Sequence, residues 1–258
     1  MSKKSRNQQS TANQLTRWLI FLGVSAVLAL ILLVAAPRIM HRSLFSVADG
    51  ASTGTLAVGV TDVPDTLDIR TANNASLDRV LIGNVYETLL GRNSDNGITA
   101  GLASSWKTSD DGLTLTFTLR SGLRFANGHT LDAASVVWSL QQAVSNKWPG
   151  ADTKLAALAS VTNPNATTVV ITLKQPDPTL PRTLSGRLGI VYDSAANIDY
   201  TNQAMGSGPY RITNFTPSQR IAFAAVSGST AKTHTVTVRN YSSDSNLLKA
   251  ARSGDVDL

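Results

Sequence analysis

Residues 100–142 read AGLASSWKTSDDGLTLTFTLRSGLRFANGHTLDAASVVWSLQQ. Leu113, Leu115, Phe117 and Leu119 alternate with Thr114, Thr116, Thr118 and Arg120. A period of two describes a strand with one apolar and one polar face, and Thr and Phe both suit a pleated surface. Asp110-Asp111-Gly112 ahead of it is a turn signal. After the Asn127-Gly128 loop, Thr130 is placed as a helix N-cap and Asp132 in the first turn. Leu131, Ala134, Val137, Trp138 and Gln142 then follow at helical spacing. A hairpin that feeds a helix implies an α/β chain with mixed α+β sheets. By itself it carries no chemistry.

Working outward, the 258 residues suffice for one large or two small domains with a sizeable core. Charged residues make up only 16%, and Glu87 is the one Glu among 17 acids. The absence of cysteine excludes disulfides, thiolate metal sites, thiol catalysis and a lipid-modified Cys anchor. The net charge of +6 would invite a nucleic-acid partner if it lay on the folded part. It does not: Lys3, Lys4, Arg6, Arg17, Arg38 and Arg42 supply six cations with no acid nearby, and the remaining 17 cations meet 17 acids. The excess flanks one apolar segment, which is a topology signal, and no nucleic-acid partner is expected.

That segment, residues 18–36 (WLIFLGVSAVLALILLVAA), has no charge over 19 positions. As a helix it would extend about 28 Å, close to the thickness of a bilayer's hydrocarbon core. Cations precede it, so the N-terminus is expected in the cytoplasm and the bulk of the chain outside, in the cell membrane as a single-pass protein. A core helix fits poorly because the segment is apolar all round. A cleaved signal peptide fits less well than an uncleaved anchor, because the run exceeds the usual apolar region and cleavage after Ala36 would leave Pro37 first. The expected organisation is a basic cytoplasmic segment (1–17), a transmembrane signal anchor (18–36), a tether (37–54) and a folded region (55–258).

Within the folded region, Thr55 to Val60 reads as a buried strand, followed by the loop Thr61-Asp62-Val63-Pro64-Asp65. A helix is expected over Ser76–Leu90, capped by Ser76 and stopped by Gly91. Its buried stripe is Leu77, Val80, Leu81, Asn84, Val85, Thr88 and Leu89. Further along come a short helix at Thr153–Ala159 and strands near Val161 and at Thr167–Leu173, joined by the turn Asn163-Pro164-Asn165. A short helix through Ser185, strands at Tyr210–Phe215, Arg220–Val226 and Thr233–Tyr241, and a helix at Asp244–Ser253 complete the pattern. Gly254 to Leu258 looks like the start of another strand.

Catalytic motifs are missing. His41, His129 and His234 have no metal-ligand spacing, and no nucleophile elbow, P-loop or dinucleotide fingerprint occurs. Asp110 and Asp111 are turn formers. No enzyme activity and no cofactor are expected. Asp62, Asp65, Asp68, Asn73 and Asn74 gather around the first strand-to-helix loop, where α/β folds bind ligands or simply place loop polarity. Trp106, Trp138 and Trp148 are read as core rather than as stacking platforms.

Several short matches occur in order. They are Thr66-Leu67-Asp68, Tyr86-Glu87-Thr88-Leu89-Leu90, Leu102-Ala103-Ser104-Ser105-Trp106, Asp111-Gly112-Leu113-Thr114 and Phe117-Thr118-Leu119-Arg120. Gly122-Leu123-Arg124-Phe125 with Asn127-Gly128, and Gly208-Pro209-Tyr210, continue the series. Together they resemble the extracellular solute-binding proteins of family 5, the peptide, oligopeptide and nickel-binding components of bacterial ABC importers, over roughly residues 55–258. The resemblance implies the first lobe of a two-lobed, type II periplasmic-binding-protein-like clamp that closes on a peptide or other small solute and delivers it to permease subunits. It places Asp62, Val63 and Pro64 along the cleft as ligand-binding residues. It departs in having Ile69 after Leu-Asp where Pro is usual, and a membrane helix in place of a lipidated Cys. It further implies that the chain stops where a second lobe would begin. The alternative expectation is a lobe that docks on a permease without holding solute.

Overall fold

The computed structural model describes residues 52–258. The helix expected at 18–36, His41 and the tether as far as residue 51 lie outside the described residues, and residues 52–54, expected as tether, already belong to the first strand. Among the described residues no helix is long and apolar enough to cross a membrane.

The decisive hairpin forms as its alternation requires. Strand β4 (Ala103–Thr108) pairs antiparallel with β5 (Thr114–Leu119), and Leu115, Phe117 and Leu119 are buried while the threonines between them are not. Further along the chain, β6 (Leu158–Asn165) and β7 (Thr168–Leu173) complete a four-stranded antiparallel sheet of order β4-β5-β7-β6. Pro164 lies inside β6, and the reversal falls at Ala166-Thr167 rather than at Asn163-Pro164-Asn165. An edge strand tolerates Pro because its outer N–H groups have no ladder partner to lose.

The helix that follows the hairpin (Ala133–Ser145) packs against β6 and β7. Its N-cap is Asp132, reciprocally bonded with Ser135, whereas Thr130 forms an isolated bridge with Arg124. Starting at Ala133 turns the buried stripe to Ala133, Val136, Ser139, Leu140 and Ala143, away from the expected Ala134 and Gln142. Small residues let the helix approach the sheet, and hydropathy alone does not mark them. This helix and the β4-β5-β7-β6 sheet enclose one apolar cluster around Phe117, Val169, Ile171 and Leu140.

The other sheet has the order β1-β10-β9-β8, from β1 (Ser52–Val60), β8 (Tyr210–Thr216), β9 (Arg220–Ala225) and β10 (Thr233–Asn240). β1 and β10 run parallel; the remaining pairs are antiparallel. Residues 257–258 continue alongside β1 without a full ladder: the Asp257 N–H donates to Ala57 O at 2.7 Å and the Gly59 N–H to Leu258 O at 2.8 Å. The expected helix at Asp244–Ser253 is present, capped by Ser243. Beneath this sheet lies a second cluster built on Leu67, Ile69, Leu77, Leu81, Tyr86, Tyr192 and Phe223.

Three helices are shorter than their sequence patterns. The structure has Ala151–Lys154 in place of Thr153–Ala159, Leu180–Thr183 in the segment through Ser185, and Ala75–Leu81 in place of Ser76–Leu90. Asn74, not Ser76, caps the last of these, and the helix ends at Ile82, with Gly83 at φ +81°. Gly91 lies in the short hairpin formed by β2 (Leu90–Arg92) and β3 (Ile98–Ala100). Val85, Thr88 and Leu89 remain buried, since the chain turns at residues 83–85 and then passes through the core without helical structure.

The reason for that break lies far along the chain. The Gly208 N–H donates to Val85 O and the Tyr210 N–H to Asn84 O, both at 2.9 Å. A Cβ at Gly206 would sit 2.1 Å from Val85 O, and one at Gly208 would sit 2.4 Å from Asn84 O. The Gly-x-Gly-Pro-Tyr run is therefore a backbone-on-backbone contact that only glycine permits. Gly208→Ala should lower unfolding free energy by about 3 kcal/mol, within the range for overpacking a buried site. Urea denaturation followed by circular dichroism checks this, and an unchanged midpoint would contradict the contact.

Candidate functional site

Among the described residues one cavity has a volume of about 960 Å³. Loops and helix ends build it: the end of the Ala75–Leu81 helix, the Pro149 loop, and the segment from Thr179 to Leu188. Such a volume lies at the upper end of the range for small-molecule sites.

Asn73 borders the cavity from the loop at residues 69–74, which the guanidinium of Arg187 organises. Its Nη1 donates to Ile69 O at 2.7 Å and to Ala72 O, and its Nη2 donates to Asn74 O at 3.3 Å. Nη2 also lies 2.7 Å from Asp78 Oδ1, and the Arg187 side chain is only 11% exposed. A planar donor fork matches several acceptors at once, which an ammonium group does not. Asn73 faces the cavity from this loop, while Asn74 spends its side chain on the Ser76 N–H and hydroxyl.

Behind the same loop, Arg70 forms a two-bond pair with Asp68, Nε to Oδ1 at 2.8 Å and Nη2 to Oδ2 at 3.0 Å. The guanidinium also lies 3.6 Å from the centre of the Tyr200 ring, an attractive cation–π arrangement. Burial works against its charge, but the Asp68 carboxylate outweighs this and raises its pKa. Tyr192 sits at the centre of an aromatic group, 5.3 Å from Tyr86, 5.1 Å from Trp148 and 6.1 Å from Tyr200. Burial pushes the Tyr192 phenol well above its usual range, so the ring stays neutral. A smaller cavity of about 600 Å³ opens beside Arg70, Trp138, Lys147 and Trp148.

Asp62, Val63 and Pro64 line none of these cavities. Val63 belongs to the core, Pro64 is buried with its carbonyl accepting from the Ser218 N–H at 3.0 Å, and Asp62 is exposed. Of the loop residues singled out with them, Asn73 reaches the large cavity, Asn74 and Asp68 serve the loop's internal bonds, and Asp65 is exposed. The tryptophans pack as expected: Trp106 against the first cluster, Trp138 against the second and Trp148 against both. Arg187 and Arg70 were not singled out from sequence. Their partners lie up to 118 residues away, and only the glycines at 186 and 189 mark the Arg187 segment locally.

His129 takes a hydrogen-bonding role. Its Nδ1 is 2.7 Å from Oδ2 of the buried Asp193, which also accepts from Asn127 Nδ2 at 2.7 Å. Burial alone would raise the Asp193 pKa, but bonds from Asn127, the Ala195 N–H and His129 outweigh it and lower the pKa. His234 is exposed. Among the described residues no cluster of three His, Cys, Asp or Glu could hold a metal ion.

If Arg187 holds the loop, Arg187→Ala leaves three half-buried carbonyls without their charged donor. The expected loss is about 2 kcal/mol of stability, together with faster amide hydrogen exchange across residues 69–76. Exchange mass spectrometry reads this out, and unchanged protection in that segment would remove Arg187 from the role.

Comparison with known proteins follows this geometry. The profile described as bacterial extracellular solute-binding proteins, family 5 Middle, matches residues 97–258. Protein XP55 of Streptomyces lividans is 29% identical over 229 residues, covering 81% of this chain and 42% of that protein. The glutathione-binding protein GsiB of Pectobacterium atrosepticum is 30% identical over 220 residues, covering 82% of this chain and 39% of that protein. Among solved structures, the binding protein MoaA from A. tumefaciens R10, in complex with mannopinic acid, matches with a TM-score of 0.72 at 28% identity. That match covers 80% of this chain and 44% of the solved one. The chain thus spans about two fifths of the length of these relatives. The mixed α/β sheets match the periplasmic-binding-protein fold, and the chain belongs to the bacterial extracellular solute-binding proteins of family 5.

Proposed function

We propose that this chain contributes the first lobe of the substrate-binding component of an ABC-type importer, capturing a peptide or related small solute outside the membrane and delivering it to permease subunits. The observation that carries this is the 960 Å³ cavity on the loop face, bordered through Asn73 by a loop whose backbone is pinned by Arg187. A pre-organised border lowers the ordering cost of binding. Relatives named for glutathione and solved with mannopinic acid support a solute built from amino acids. Residues 18–36 are proposed as the membrane anchor, with the N-terminus in the cytoplasm and the folded region outside.

Trp148 supplies the readout, because it packs edge-on against Tyr192 next to Pro149, which lines the cavity. Titration of the full chain with short peptides and glutathione should change its tryptophan emission saturably, and Trp148→Phe should remove most of the change. A flat titration, with isothermal calorimetry also silent, would favour the alternative of a lobe that docks on a permease without holding solute. For topology, protease added to intact cells should digest the region after Pro37; protection there would overturn the outward orientation.

A further inference from the structure

Residues 52–258 are nearly balanced, with 17 cations and 16 acids. The lining of the large cavity is not. Arg79, Arg92, Lys154, Arg182 and Arg187 face it, against only Asp78 and Glu87. Both carboxylates are already engaged: Asp78 with Arg187 at 2.7 Å, and Glu87 with Arg120, which lies outside the lining, at 2.6 Å. Among the described residues, Arg79, Arg92, Lys154 and Arg182 form no ion pair with a carboxylate.

Arg92 is nonetheless oriented. Its Nε donates to Ser185 Oγ at 2.7 Å and its Nη2 to Arg182 O at 3.2 Å. Neutral acceptors fix the side chain without cancelling its charge. Two further groups pull in the same direction: Lys154 ends the Ala151–Lys154 helix and Arg182 lies in the Leu180–Thr183 helix, both exposed at the cavity's rim. The other two cavities lack this excess. The one near His129 is lined by Asp132 and Asp193 with no Lys or Arg, and the one near Trp148 has only Arg70 and Lys147, of which Arg70 is paired with Asp68.

A recess lined by one sign of charge concentrates the opposite sign, and guanidinium groups bind planar oxyanions with two parallel bonds. We infer that the solute of this cavity carries net negative charge and presents an oxyanion, carboxylate or phosphate, to the Arg92–Arg182–Lys154 side. This rests on the solute-capture reading and narrows it to a chemical class, disfavouring cationic peptides.

The test is isothermal calorimetry on the full chain with four tripeptides: trialanine, Glu-Ala-Glu, Lys-Ala-Lys and alanyl-phosphoseryl-alanine. An acidic peptide should bind about tenfold more tightly than trialanine, the worth of two exposed ion pairs at the upper end of their usual range. Lys-Ala-Lys should be the weakest. Whether the carboxylate or the phosphate peptide leads identifies the oxyanion. Raising salt from about 50 to 500 mM should shrink the acidic preference, since exposed charges are screened. In the double variant Arg182→Gln with Lys154→Gln, both residues being exposed, the preference should fall to within about threefold. Equal binding of all four peptides, or a preference untouched by the double variant, overturns the charge assignment and leaves solute capture standing. If no peptide of any charge binds, both are overturned.

Discussion

A guanidinium withdrawn from water is costly unless it is paired, and Arg187 is held by three backbone carbonyls through Nη1 and Nη2 and by an ion pair with Asp78. The consequence is structural economy. Carbonyls at 69, 72 and 74 belong to an irregular loop with no sheet to absorb them, and one side chain satisfies them all. The same contact fixes the entry to the Ala75–Leu81 helix, since Asn74 is both a carbonyl acceptor for Arg187 and the helix N-cap. The loop beside the cavity, the first helix and the start of the second apolar cluster are thus held through a single charged group.

A second constraint meets it from the other side. The glycines at 206 and 208 press against the backbone of residues 84–85, which form the turn that ends the first helix. Between these two contacts lie Tyr86 and Tyr192, whose rings join the loop region to Trp148. The described site is therefore rigid on its core side and open on its charged side. That division suits a lobe that meets solute at a preformed surface rather than one that folds around it.

The charge distribution has two separate meanings in the two parts of the chain. In residues 1–42 the cations bracket an apolar run, which is the ground for the membrane anchor proposed above. In the folded region the totals nearly cancel, so composition is silent, while the positions of Arg79, Arg92, Lys154 and Arg182 around one cavity are not. A net charge near zero can hide a strongly polar arrangement, because the field at a site depends on which side chains converge there.

Periodicity determined the elements whose burial is local. β5, the paired strands β8 and β9, β10 and the helix at Asp244–Ser253 all follow their sequence patterns, because a two-residue or 3.6-residue repeat is enough to assign a face. The ordered short motifs from Thr66-Leu67-Asp68 to Gly208-Pro209-Tyr210 likewise determined the family. Tertiary structure decided the rest. The stripe Leu77, Leu81, Val85, Leu89 is helical in sequence, yet the helix gives way to a turn at residues 83–85, because the Gly208 and Tyr210 N–H groups take the Val85 and Asn84 carbonyls that a further helical turn would use. Val63 and Pro64 are polar-loop neighbours in sequence and buried in the fold. The cavity, its Arg187 anchor and its unpaired cations join residues up to 118 positions apart, and no local pattern records a contact of that span.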